Sequence, residues 1–254
     1  MKETLYRYFI TLDYNGTPFH GWQIQPNALT VQELLQNAFT HILREPIHLT
    51  GCGRTDTGVH AINFVAHFDS TRPNLEENDK LIHKLNRYLP VEVLIHSLKI
   101  MHQEAHSRFD ATSRTYKYYI TQEKSPFLNP LRHYYYGNLD VDAMNHAALK
   151  LFDYIDFTSF SKVDTDVKTN NCVIREAKWI QENNELVFTI TADRFLRNMV
   201  RAIVGTLLEV GKGKLTIEEF CRIIEAKDRS AAGASVPGKA LFLVNVTYPY
   251  RFKN

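Results

Sequence analysis

Apolar and polar positions change their period between Tyr6 and Leu43, and the change separates a strand from a helix. Tyr6-Arg7-Tyr8-Phe9-Ile10-Thr11-Leu12 mixes aromatic and β-branched residues in partial alternation and runs out at the turn pair Asn15-Gly16. Apolar residues then return at Val31, Leu34, Leu35, Ala38, Phe39, Ile42 and Leu43, the spacing of one helical face, with Thr30 and Glu33 placed as a capping box. This spacing predicts a helix of about four turns. Ile47–Thr50 and Ala61–Phe68 read as short strands on either side of a glycine-rich run. A helix from about Asn78 to Tyr88 and a strand over Val93–Ile100 complete a first half.

The second half repeats this grammar. A strand is predicted over Ser113–Gln122, a helix over Asp140–Leu151, strands over Ile174–Gln181 and Glu185–Asp193, and a helix over Arg194–Val210. A short helix at Thr216–Ala226 and a last strand at Ala240–Tyr248 close it. The order strand-helix-strand-strand-helix-strand thus appears roughly twice, which predicts an α+β fold of duplicated split-βαβ halves, residues 1–105 and 106–254. In the Arg194–Val210 segment, Arg194, Arg197 and Arg201 recur at i, i+3 and i+7, opposite Leu196, Met199, Val200, Ile203 and Leu207. One face is expected to be core and the other basic.

Composition narrows the class. With 254 residues, 44% hydrophobic and 23% charged, the chain suits one large or two small globular domains. A formal net charge of +2 says little about nucleic acid by itself. Its distribution says more: before residue 106 acidic residues slightly outnumber Lys and Arg, so the positive excess belongs to the second half. No basic and apolar leader opens the sequence and no apolar run approaches the roughly 18 residues that span a bilayer, so a cytoplasmic protein without membrane contact is expected. Cys52, Cys172 and Cys221 are odd in number and lack Cys-x-x-Cys spacing, which predicts reduced thiols and no metal site. His102 and His106, without a third ligand of suitable spacing, are read as surface residues.

Gly51-Cys52-Gly53-Arg54-Thr55-Asp56-Thr57-Gly58-Val59-His60-Ala61 carries the candidate chemistry. It sets one carboxylate between glycines, with an arginine two residues earlier and threonines that can tie the turn, a poor core segment and a good catalytic loop. Trp22 and His60 are read first as structural, a core anchor and a loop brace. Tyr134-Tyr135-Tyr136 is assigned to strand packing. The polar segment Val163–Asn171, flanked by Lys162 and Arg175 and containing Lys168, is read as a mobile insertion that touches RNA.

This loop, with Asp13-Tyr14-Asn15-Gly16-Thr17-Pro18-Phe19-His20-Gly21-Trp22-Gln23, Arg114-Thr115-Tyr116-Lys117-Tyr118-Tyr119, Phe195-Leu196-Arg197-Asn198-Met199-Val200-Arg201 and the closing Leu241–Pro249 stretch, resembles the tRNA pseudouridine synthase A family over nearly the whole chain. Thr57 departs from the family's usual Ala, and Ala232–Ala240 matches only loosely. The resemblance implies two halves sharing an extended, mostly antiparallel sheet with a central basic cleft. It implies isomerisation of uridine to pseudouridine at nucleotides 38, 39 and 40 of the anticodon stem-loop, with tRNA as partner, no metal or organic cofactor, and a homodimer. By the same resemblance Asp56 is the catalytic carboxylate, acting as nucleophile at C1′ or as base on the 2′ proton. Arg201 is its cationic partner, Tyr116 stacks on the detached uracil, and Arg54 helps hold the flipped nucleotide open. Arg194 and Arg197 are candidate RNA contacts.

Overall fold

The computed structural model describes residues 4–162, 169–182 and 184–252, with the backbone alone of Asp79. Most of the predicted insertion, residues 163–168, lies outside the described residues. The fold is α+β, with nine mostly antiparallel strands among the described residues, and the chain divides into two compact units, Met1–Thr112 with Leu243–Asn254, and Ser113–Phe242. The division falls seven residues beyond the expected boundary at 105 (112 − 105), and the C-terminal stretch returns to the first unit.

The first unit is ordered β1 (Tyr6–Tyr14), α1 (Val31–Leu43), β2 (Thr50–Gly51), β3 (His60–Ser70), α2 (Asp79–Tyr88) and β4 (Val93–Met101). Strand β1 lies between β3 and β4, antiparallel to both. Tyr8, Phe9, Ile10 and Leu12 are all buried, so β1 is covered on both faces. On one, Phe39 of α1 meets Phe68 at 4.8 Å between ring centres, with Tyr8 alongside at 5.5 Å. On the other, Phe9 meets Tyr248, Tyr250 and Phe252 edge-on, which ties the C-terminal stretch to this unit. Helix α1 starts where the sequence placed its cap, the Thr30 hydroxyl accepting the Glu33 amide.

The second unit is ordered β5 (Ser113–Thr121), β6 (His133–Tyr134), α3 (Val141–Leu149), β7 (Ile174–Glu182), β8 (Glu185–Ala192), α4 (Met199–Gly211) and α5 (Ile217–Glu225), and β9 (Leu241–Thr247) leads out of it. Strand β8 pairs antiparallel with β5 and β7. The Asn145 side chain of α3 bonds both the amide and the carbonyl of Trp179, satisfying backbone groups of β7. Helix α4 is the centre of this unit, and of its residues all but Arg201 and Glu209 are buried.

The expected basic stripe does not form. Residues 194–198 are not helical, because Asn198, at φ 67°, takes a left-handed conformation and α4 starts only at Met199. Arg194 and Arg197 therefore sit on the connection out of β8. Tyr134 and Tyr136 are not packed away as expected: both are exposed, Tyr136 by 87%.

Candidate active site

The Asp56 loop runs from β2 to β3, two strands already paired through Gly51 and Ala66, and Cys52 N–H extends the pairing to Val65 O at 2.8 Å. Beyond that point the loop is pinned from outside. The amide of Trp22 donates to Thr55 O at 3.2 Å, and Gly58 N–H donates to Phe19 O at 3.3 Å. The buried Thr55 hydroxyl lies 2.9 Å from Tyr14 Oη. Val59 N–H closes the turn onto Asp56 O at 3.1 Å. Trp22 is anchored by stacking on Phe64 at 4.2 Å, and the buried His60 accepts the Gly16 amide on Nδ1 at 3.0 Å. Both residues thus have the structural roles expected of them. Gly21, at φ +87°, passes so near the loop that a Cβ would stand 2.3 Å from Thr55 O.

In this mount Thr55 faces inward, Asp56 is half-buried, and Arg54 and Thr57 are exposed. Arg54 has no ion-pair partner among the described residues. A carboxylate carried on a segment held at Thr55, Gly58 and Val59 loses little orientational freedom when a substrate arrives. That is what a nucleophile or base at a single carbon centre requires.

The second unit supplies the other residues assigned from the resemblance. Tyr116 lies on β5 opposite Ile190, half-buried, with Phe195 meeting its ring edge-on at 5.2 Å and 89°. Arg201, on the first turn of α4, donates from Nε to Val236 O at 2.7 Å, and its own carbonyl accepts the Val236 amide at 3.2 Å. The guanidinium plane is therefore set by backbone. Burial pushes the Tyr118 hydroxyl well above its usual range, a shift that the Arg201 charge opposes. Arg197 is exposed, and its carbonyl accepts the amide of exposed Lys162 at 3.0 Å, so the backbone at Lys162 lies against this connection. Arg194, earlier on the same connection as Arg197, is half-buried.

Sequence reasoning missed the support behind Arg201. The segment 232–236 lies against α4 so closely that a Cβ on Gly205 would stand 1.9 Å from Ala234 O. Arg229 holds that segment, bonding Gly233 O at 3.2 Å and Ser235 Oγ at 2.9 Å, and Asn198 Nδ2 bonds the same Ser235 oxygen at 2.5 Å. The run of small residues Ala231-Ala232-Gly233-Ala234-Ser235 shortly after Arg229 was the available signal. Among the described residues no group of three or more His, Cys, Asp or Glu side chains is placed to hold a metal ion, and no helix is long and apolar enough to cross a membrane.

Comparison with known proteins agrees with the motif pattern. The family model described as tRNA pseudouridine synthase matches residues 148–249. The chain is similar to a protein of Parabacteroides distasonis named tRNA pseudouridine synthase A, 60% identical over 243 residues, which is 96% of each chain. A protein of that name from Bacteroides fragilis is 57% identical over 244 residues, again 96% of each. One from Clostridium acetobutylicum is 39% identical over 241 residues, 94% of this chain and 98% of the relative. Identity of this extent, with the aspartate loop seated as described, means that the chain belongs to the tRNA pseudouridine synthase A family, a family of isomerases.

Proposed function

We propose that the protein isomerises uridine to pseudouridine in tRNA, at nucleotides 38, 39 and 40 of the anticodon stem-loop, as a cytoplasmic homodimer. The observation that carries the reading is the pinned aspartate loop, whose inward Thr55 and closed Asp56–Val59 turn hold a half-buried carboxylate next to an exposed arginine. The reaction breaks the N1–C1′ bond, turns the captive uracil, and joins C5 to C1′. N1 gains a proton and C5 loses one, so product and substrate are isomers.

Asp56 acts as nucleophile at C1′ or as base on the 2′ proton, and either role is helped by a cation that balances the charge handled there. Arg201 takes that role, its plane preset by Val236. Tyr116 offers an aromatic face to the detached base, and Arg54 helps to hold the nucleotide out of its stack, which offsets part of the unstacking cost. Arg194 and Arg197, with Lys162, contribute phosphate contacts.

The test is unmodified tRNA incubated with wild type and Asp56→Asn, with pseudouridine mapped nucleotide by nucleotide. Wild type should modify 38, 39 and 40, while Asp56→Asn should modify none yet keep tRNA binding and melting temperature. Near-normal turnover by Asp56→Asn refutes the assignment. Modification elsewhere in the tRNA refutes only the positions, and a monomer mass by light scattering refutes the dimer.

A further inference from the structure

The first unit also carries an exposed aromatic ring on an unusually well-fixed mount. Phe109 is 76% exposed, in the short connection between β4 and β5. The His106 imidazole accepts, on Nδ1, the amides of both Arg108 and Phe109 at 3.1 Å. Asp110 Oδ2 accepts the His106 amide at 2.7 Å and the Tyr250 hydroxyl at 2.8 Å, and the Asp110 amide donates back to His106 O at 3.1 Å. Ser107 is fully buried; its hydroxyl donates to Thr50 O at 2.8 Å, and its carbonyl accepts the Tyr248 hydroxyl at 2.5 Å.

On this mount the Phe109 ring stacks over His106 at 4.1 Å with 28° between planes. His67 backs the imidazole edge-on at 4.7 Å. The Arg108 guanidinium carbon stands 5.8 Å from the Phe109 ring centre. So much ordering spent on a ring left in water is not core packing. His106, expected at the surface, is half-buried because it is the lower layer of this stack.

We propose that Phe109 is a stacking platform for an unpaired nucleobase of the RNA, with Arg108 serving the adjoining phosphate. An aromatic face accepts any base, and a neighbouring cation answers the backbone that comes with it. Its chain neighbours are polar, exposed Arg108 and half-buried Asp110, which suits a nucleotide better than an apolar protein surface. The Ser107–Thr50 bond sets the platform on β2, the strand that leads into the Asp56 loop. The proposal rests on the reading of the chain as a tRNA-modifying enzyme.

Filter binding of a tRNA transcript across several salt concentrations tests it, with Phe109→Tyr, Phe109→Leu, Phe109→Ala and Arg108→Gln, each checked by thermal melting. Phe109→Tyr should bind like wild type. Phe109→Leu and Phe109→Ala should bind about 5- to 150-fold more weakly, the range of one base-on-aromatic stack, with the salt slope unchanged. Arg108→Gln should lower that slope by about one contact. Phe109→Leu binding as tightly as wild type overturns the proposal, since any apolar side chain would then serve. So does unchanged RNA affinity in Phe109→Ala together with an altered mass by light scattering, which would make the ring a protein contact. Platform failure alone appears as an active wild type with indistinguishable Phe109 variants. A wild type that makes no pseudouridine, yet binds single-stranded oligouridylate in a Phe109-dependent way, refutes the reaction and leaves the platform standing.

Discussion

Gly21→Ala measures how far catalysis depends on the mount of the aspartate loop. The new Cβ would lie 2.3 Å from Thr55 O and 3.2 Å from the carbonyl carbon of Asp56. Carbon and oxygen in contact rest about 3.3 Å apart, so the loop must retreat by about 1 Å. The left-handed φ costs an alanine about 1–2 kcal/mol, and weakening the Trp22 amide bond to Thr55 adds about 1 kcal/mol. A total of about 2–3 kcal/mol lowers the melting temperature of a chain this size by roughly 5–10 °C. A 1 Å displacement of a reacting group costs about 100-fold in rate. The rate is read as tritium released from tRNA carrying 5-tritiated uridine, with enzyme in excess so that binding and product release do not enter. Gly53→Ala is the stability control, because among the described residues no atom beyond its own chain neighbours lies within 4 Å of a Cβ built there, and it should melt like wild type. A folded Gly21→Ala with a rate within about twofold of wild type refutes the reasoning, for then Asp56 works without its mount.

Tyr116→Phe should keep most binding because the stacking face remains, whereas Tyr116→Leu should lose both affinity and rate; a wild-type Tyr116→Leu with full-length tRNA removes the stacking assignment. Arg201→Gln should suppress the single-turnover rate even at saturating tRNA, while Arg197→Gln should weaken binding and flatten its salt dependence; equal, affinity-only losses would make Arg201 an RNA contact. His67 supplies a pH test, its imidazole pushed down to about 4 by burial first and then by the Arg7 and His106 charges. Because the folded value lies below the unfolded one, the unfolded chain takes up the proton first, and about 3 kcal/mol of stability present above pH 6.5 is lost as pH falls toward 4. Urea melts at pH 7.5 and 4.5 should show His67→Gln losing less of its stability than wild type over this interval, and parallel losses would refute the linkage.

The first unit was legible where periodicity was strong and the punctuation local. Helix α1 starts at its predicted cap because Thr30 and the apolar face both lie within one short window. The aspartate loop was legible as a loop because its glycines and threonines are turn residues, but its fixation was not: Tyr14, Phe19 and Trp22 reach it from some 30 to 40 residues upstream, and single-residue hydrogen bonds across such distances leave no periodic trace. The packing of the chain's last residues was not legible for a similar reason. Tyr248, Tyr250 and Phe252 read as the end of the second half, yet they pack on Phe9, and nothing in a sequence pattern says which of two halves a terminal aromatic run will cover.

The misread stripe in front of α4 shows why Arg201 stands apart from its neighbours. Apolar residues at Leu196, Met199, Val200 and Ile203 fit helical spacing, so the pattern carried the helix back to Arg194. Asn198 breaks it, since asparagine tolerates the left-handed region better than other side chains, and its amide is spent on Ser235. The remaining helix is apolar all round, as a central helix must be, and its two residues that are not buried differ in kind. Glu209 is answered by Lys212 at 2.8 Å and Lys214 at 3.5 Å, near the helix end. Arg201 lies in the first turn, where the helix dipole disfavours a cation, and its plane is set by the Val236 carbonyl. Arg229, Ser235 and Gly205 hold that carbonyl's segment in turn. That fixed orientation suits the cationic role proposed for Arg201.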